Sequence, residues 1–262
     1  ERDYLYLNQQ DGTFAEDLTN QMKSISGASM GADAADINND GNADLFVTEM
    51  LPSDYERLKT VTTFENWNKY QLNVQNGYHH QFTRNMLHRN NGDDTFSELS
   101  RFAGVDATDW SWGALFFDMD NDNDQDVIIS ANSAVGSFDC FTELYENDGN
   151  GNYTLVTGNS FEGVGLGDIS VGDVDGDNDL DILIIGKNAS QQVSTKLYEN
   201  NGNGSFTLLT GTGLPNISHG NVVLADLDND GDNDVVLSGS TTPAYPFSAL
   251  SKIYKNNGNG YF

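Results

Sequence analysis

The chain has 262 residues, with 40 acidic side chains against 12 basic ones and a formal net charge of −28. That charge repels a phosphate backbone and an anionic membrane surface, so neither nucleic acid nor membrane insertion is expected. No window approaches the roughly 18 apolar residues of a membrane-spanning helix. Hydrophobic residues at 37% and aromatics at 11% are enough for a core, which argues against acidic disorder. A single cysteine, Cys140, excludes an internal disulfide framework. The chain opens on Glu1 without a charged-then-apolar leader, as expected of a processed or excised segment. Only 4 Pro stand against 27 Gly, 31 Asn and 30 Asp, a composition of tight turns between short strands.

In chain order, the first element is a hairpin from Tyr4 to Phe14. An acidic loop follows, Asp36–Asp44 (DINNDGNAD), and then an apolar run, Leu45–Thr48. Residues 49–85 change period. Ser53 and Glu56 form a capping box, Phe64, Trp67, Gln71 and Val74 share a helical face, Glu65 pairs with Lys69, and Gly77 ends the helix. A second acidic loop, Asp118–Asp126 (DMDNDNDQD), leads into Val127–Ser130. A third, Asp173–Asp181 (DVDGDNDLD), leads into Ile182–Ile185, and a fourth, Asp226–Asp234 (DLDNDGDND), into Val235–Ser238. These short, mostly β-branched runs read as buried strands.

Between the loops a second pattern repeats in phase: a strand, an Asn-Gly-type turn, and an aromatic residue six positions after the first Asn. The pairs are Asn8/Phe14, Asn90/Phe96, Asn147/Tyr153, Asn200/Phe206 and Asn256/Phe262. One unit therefore holds four strands, and the loop-to-loop spacings are 82, 55 and 53 residues. Units of that size predict an all-β fold of four-stranded antiparallel propeller blades over residues 1–262. About four blades plus an extra half-blade are expected, with a partly helical insertion at about 49–85.

In D-x-D-x-D-G-x-x-D, side chains at loop positions 1, 3, 5 and 9 can converge on one point together with the carbonyl at position 7. That many hard oxygens suits Ca²⁺ better than Mg²⁺, and Zn²⁺ would want His or Cys. An EF-hand is excluded, because its bidentate Glu at position 12 is replaced by Val47, Ile129, Ile184 and Leu237, all in strands. Five carboxylates in nine residues, as in Asp118–Asp126, would repel strongly without a cation. Asn38 leaves the first loop with less charge. Asn123 and Asn178 stand where Gly41 and Gly231 do, and Asn tolerates the left-handed turn.

These loops, their apolar strands and the NNGNGxF hairpins resemble FG-GAP/VCBS repeats, the blades of integrin-α-type propellers. In the first half, Ser29–Pro52, Asn76–Leu87 and Ala103–Gly113 resemble cartilage-acidic-protein-like, ASPIC/UnbV-associated bacterial secreted proteins. The resemblance implies a secreted or cell-surface propeller, usually of seven blades, with Ca²⁺ in the blade loops and no shared catalytic activity. Carried onto this chain, the side-chain ligands are Asp36, Asn38, Asp40 and Asp44; Asp118, Asp120, Asp122 and Asp126; Asp173, Asp175, Asp177 and Asp181; and Asp226, Asp228, Asp230 and Asp234. Asn42, Asp124, Asp179 and Asp232 give their carbonyls, for about four ions in all.

The expected function is a calcium-stabilised binding or adhesion module for a protein or glycan outside the cell, without catalytic residues. One rival is a carbohydrate-active lyase or hydrolase using Arg57, Lys59, His79 and His80 beside Trp110 and Trp112. Another is a structural spacer in a long surface protein. Trp110 and Trp112 share a strand face and read as core filling. Cys140 reads as a small buried filler, His79 and His80 as surface residues, and Asp109 as a turn or cap.

Overall fold

Strands begin and end at the acidic loops and the asparagine turns in the computed structural model, which describes residues 2–61, 66–132 and 139–262. The chain divides into two compact units, residues 1–116 with 147–154 and residues 117–146 with 155–262. In chain order the first stretch carries β1 (Tyr6–Asn8), β2 (Phe14–Glu16), α1 (Leu18–Gln21), β3 (Ile25–Ser26), β4 (Ala32–Ala35), β5 (Asp44–Val47) and β6 (Met50–Leu51). Then come α2 (Tyr55–Val61), α3 (Trp67–Gln75), β7 (Gln81–Phe82), β8 (Met86–Asn90), β9 (Phe96–Glu98), α4 (Ser100–Ala103) and β10 (Asp109–Phe117). The remainder is β11 (Asp126–Asn132), β12 (Cys140–Asn147), β13 (Tyr153–Leu155), β14 (Val164–Gly172), β15 (Asp181–Asn188), β16 (Val193–Asn200), β17 (Phe206–Leu209), β18 (Ser218–Ala225), β19 (Asp234–Ser240) and β20 (Ala249–Tyr254).

The fold is all-β, with antiparallel sheets of propeller-blade type. In the first unit β4-β5-β8-β9 form one four-stranded sheet, and β3 pairs in parallel with β7. In the second unit β14-β15-β16-β17 form a complete blade and β18-β19-β20 a three-stranded one. In each of these three sheets the acidic loop joins the first two strands and the asparagine turn follows the third. Ile182, Leu183, Ile184 and Ile185 on β15 are all 0% exposed, because both faces of a middle strand are covered. Leu183 and Ile185 join Val174, Leu197, Ile217, Val222, Leu224, Val235 and Leu237 in one core cluster. Strand edges are tied by side chains. The Phe116 N–H donates to Asp33 Oδ2 at 2.8 Å in the first unit, and the Leu224 N–H to Ser170 Oγ at 3.0 Å in the second.

The asparagine turns are longer than a two-residue Asn-Gly hairpin. Each is a five-residue connection closed by one bond: Gln9 N–H to Thr13 O, Asn91 to Thr95, Asp148 to Asn152, Asn201 to Ser205 and Asn257 to Tyr261, at 2.9–3.1 Å. In every one the leading asparagine's Oδ1 accepts the N–H two residues on, at 2.8–3.2 Å.

Among the described residues the insertion holds two helices, α2 and α3. Asn66 caps α3, its Oδ1 accepting the N–H groups of Asn68 and Lys69, and splits the predicted helical face. Gly77, at φ +82°, ends that helix as expected. The cap of α2 is Asp54, whose Oδ1 accepts the Arg57 N–H at 2.8 Å, and not Ser53. Phe64 and Glu65 lie outside the described residues. Trp112 is 48% exposed, so it does not fill the core, and Trp110 is half-buried. Cys140 is half-buried rather than buried.

The buried Asn200 side chain donates to Met119 O at 2.7 Å and Leu180 O at 3.1 Å. Asn200→Ala leaves these carbonyls without that donor, and we predict a loss of about 1–3 kcal/mol in a thermal or denaturant melt. An unchanged midpoint would refute this. His88, 2% exposed on β8, is held neutral by burial, its pKa lowered from 6.5 to about 4. The unfolded chain therefore takes up the proton first. This contribution to stability is intact above pH 6.5 and fades as pH falls from 6.5 to 4, by up to about 3 kcal/mol. His88→Gln is predicted to flatten the stability-against-pH curve in that window; parallel curves would refute the assignment.

Candidate metal centres

Each acidic loop makes its turn through two left-handed residues. At position 4 these are Asn39, Asn121, Gly176 and Asn229, with φ between +57° and +81°. At position 6 they are Gly41, Asn123, Asn178 and Gly231, with φ between +72° and +98°. Only Gly and, less readily, Asn adopt this conformation at small cost, which is why these two residue types alone fill both places. The position 1 carboxylate then accepts the position 6 N–H: Asp36 from Gly41, Asp118 from Asn123, Asp173 from Asn178 and Asp226 from Gly231, at 2.7–3.1 Å. The position 5 carboxylate accepts the position 7 N–H, as Asp122 does from Asp124 at 2.9 Å.

In three of the loops the turn brings together three of the four predicted side-chain ligands, without Asp126, Asp177 and Asp234 respectively. Carboxylate oxygens of Asp118, Asp120 and Asp122 lie within 4.8 Å of one another; so do those of Asp173, Asp175 and Asp181, and those of Asp226, Asp228 and Asp230. The first loop, with Asn38 at position 3, has Asp36 and Asp40 bonded to its own backbone. Asp118 Oδ1, Asp120 Oδ1 and Asn38 Oδ1 are shielded from water and have no hydrogen-bond partner among the described residues. Carboxyl pKa values record the crowding. Burial, then the Asp122 charge, pushes Asp120 up; burial, then the Asp177 charge, pushes Asp175 up.

The position 9 aspartates have a second role that the spacing did not reveal. Asp44, Asp126, Asp181 and Asp234 are 0–3% exposed. Oδ2 accepts the N–H of the loop's second residue: Ile37, Met119, Val174 and Leu227, at 2.7–3.3 Å. Oδ1 accepts the N–H of the turn asparagine, as Asp44 does from Asn90, Asp181 from Asn200 and Asp234 from Asn256, at 2.7–2.8 Å. Burial raises the pKa of Asp44, and that of Asp181 to about 7, against the opposing pull of these N–H groups.

A further difference comes from the residue before the turn asparagine. Glu146 adds its charge to the field on Asp120, and Glu199 to that on Asp175. At the same place Arg89 acts on Asp40, and the Lys255 ammonium bonds Asp228 and, at 3.2 Å, Asp230. The second and third loops thus gain negative charge, whereas the first and fourth are partly neutralised by the protein itself.

The residues weighed for catalysis do not converge. Arg57 forms a two-bond pair with Asp109 at 2.7 and 2.8 Å, Lys59 is on Tyr55, His79 Nε2 meets Met22 O at 2.8 Å, and His80 Nδ1 meets Tyr70 Oη at 2.6 Å. Both histidines are half-buried, not surface residues. Asp109, at φ +61°, anchors α2 to β10 instead of capping a turn. A cavity of about 380 Å³ in the insertion is lined by Glu49, Lys69, Tyr70, Asn73, His79 and Gln81 among others.

Acidic oxygen-rich turns between the first two strands of antiparallel blades define a class of repeat β-protein. Residues 1–47 and 173–237 match the family described as FG-GAP-like repeat. That match carries no finer resemblance to ASPIC/UnbV-associated proteins. Comparison with curated proteins gives no match. Among the described residues, no helix is long and apolar enough to cross a membrane.

Proposed function

We propose that the chain is a calcium-stabilised extracellular binding or adhesion module without a catalytic role. The observation that carries the cation is the pair Asp118 Oδ1 and Asp120 Oδ1, water-shielded and unpartnered in a cluster with Asp122. A buried carboxylate oxygen without a donor costs a few kcal/mol, and a divalent cation is the group that removes the cost for several such oxygens at once. All the side-chain donors are oxygens from Asp and Asn, a hard set without His or Cys, which favours Ca²⁺ over Zn²⁺. Sites of the extracellular type bind at about 10⁻⁴–10⁻³ M. At ten times Kd each occupied site adds about 1.4 kcal/mol to folding. The Glu146 and Glu199 loops are the stronger sites in this reading, and the Lys255 loop the weakest. FG-GAP-like repeats fit an extracellular module, which supports the location.

The ligand is a protein or a glycan. The insertion favours a glycan: Trp67, 69% exposed, stacks on Tyr70 at 5.4 Å between ring centroids, and Tyr70 lines the cavity. An exposed indole suits the apolar face of a sugar ring.

Calcium at millimolar concentration is predicted to raise the melting temperature and EGTA to lower it, with magnesium much less effective. Asp118→Asn with Asp120→Asn should remove part of the calcium response, whereas Lys255→Ala should enlarge it. A melting curve indifferent to calcium and EGTA would sink the proposal. For the ligand, titrating oligosaccharides against tryptophan fluorescence should give a saturable change that Trp67→Ala abolishes. A saturable change that persists in Trp67→Ala would place the glycan elsewhere.

A further inference from the structure

The cavity in the insertion mixes groups that only accept hydrogen bonds with groups that only donate them. Glu49 lies between β5 and β6 and is 1% exposed. Its main chain is clamped on both sides: the N–H donates to Asn85 Oδ1 at 2.7 Å, and the carbonyl accepts the Ser111 N–H at 3.2 Å. It lines the cavity, and an ionised carboxylate is acceptor-only, with about four lone-pair positions. His79, held at φ +61°, is a second acceptor. Its Nε2 meets the Met22 carbonyl at 2.8 Å, and a carbonyl cannot donate. Nε2 therefore carries the proton of the neutral ring, and Nδ1 keeps a lone pair.

The helix α3 adds donors to the same wall. Lys69 and Asn73 stand one turn apart and line the cavity with Tyr70. The Lys69 ammonium is donor-only, whereas the Asn73 amide offers both a donor and an acceptor. A ligand of one charge suits such a wall poorly. A carboxylate or sulfate meets Glu49 in a protein of net charge −28, and an ammonium meets Lys69. A hydroxyl donates or accepts as its partner requires, so an uncharged polyol serves both kinds of group.

The cavity, at about 380 Å³, is near the low end of small-ligand pockets and suits one sugar ring rather than a longer chain. Trp67 is not part of its lining. Its ring lies nearly parallel to that of Tyr70, at an interplanar angle of 23°. Tyr70 is fixed in turn by His80 Nδ1, 2.6 Å from its hydroxyl. An aromatic platform thus runs from the cavity to the exposed indole.

We infer that the cavity is a subsite for one uncharged sugar ring, with its hydroxyls on Glu49, Lys69, Asn73 and His79, and that Trp67 carries the next ring of the same chain. The inference rests on the glycan reading above and adds to it a charge class and a two-ring length.

Isothermal titration calorimetry on the full chain tests this. The probes are neutral mono-, di- and tetrasaccharides of glucose, mannose, galactose and xylose, with oligogalacturonate and chitosan tetramers as acidic and basic counterparts. One neutral disaccharide should bind at least about tenfold tighter than its monosaccharide and than either charged tetramer. Lys69→Met changes an exposed side chain and should keep the wild-type melting temperature. It should weaken the disaccharide at least about tenfold. Trp67→Ala should bring the disaccharide down to the affinity of the monosaccharide. Glu49→Gln removes the repelling charge, so the preference for neutral sugar over oligogalacturonate should narrow. Binding of a charged tetramer in place of neutral sugars would keep the glycan reading and overturn the uncharged subsite. Neutral-sugar affinity unchanged in both Lys69→Met and Glu49→Gln would overturn it as well, by moving the ring out of the cavity. A chain that binds none of the probes would overturn both readings.

Discussion

The buried carboxylate at the end of each acidic loop is the joint on which the rest of the blade hangs. One of its oxygens holds the start of its own loop, and the other, as in Asp44, Asp181 and Asp234, holds the asparagine turn. Strands far apart in sequence are thereby fixed at one end by a single side chain. Aspartate suits this because its short stem keeps both oxygens beside the backbone, where a longer glutamate would swing away. The cost is visible in Asp181, whose affinity for its proton is raised by burial to a pKa of about 7 even though two N–H groups favour the charged form. Two donated N–H bonds do not offset the desolvation of a full charge in this position.

That joint also sets the electrostatic problem of the loop. Its charge is anchored where the other acidic side chains must turn past it, so the loops differ mainly in what else is brought near. Glu146 and Glu199 raise the negative charge of the second and third loops, whereas Arg89 and Lys255 lower that of the first and fourth. Loops that read almost alike thus differ in their demand for a cation. The net charge of −28 is correspondingly uneven in meaning. Eighteen of the acidic residues sit in the four loops, where they are drawn together by backbone geometry rather than spread as a solvated coat.

Much of the architecture is written in residue order. The apolar runs after each acidic loop are strands because β-branched residues fill a middle position covered on both faces, and the acidic turns are visible because few residue types tolerate two left-handed steps. Other features escaped because they have no local signature. The Asn-Gly signal marked each turn, but not that the leading asparagine bonds its own backbone within a five-residue connection. The helical spacing of Trp67, Gln71 and Val74 carried no sign that Asn66 would start a new helix. Trp112 is exposed because burial depends on what lies over the strand, which periodicity cannot report. The cation at the fourth loop comes from Lys255, 21 residues beyond the loop's end, and only the sheet register brings it there.

The clasp between successive blades closes on a main-chain carbonyl, and that has an evolutionary consequence. A carbonyl is the same whatever side chain it belongs to; Ile37, Met119 and Val174 are all accepted by the same asparagine. Neighbouring repeats need not mutate in concert to keep fitting one another. A repeat can be duplicated, exchanged or given a long insertion such as residues 49–85 without renegotiating its borders. An array joined in this way can lengthen and diversify one unit at a time.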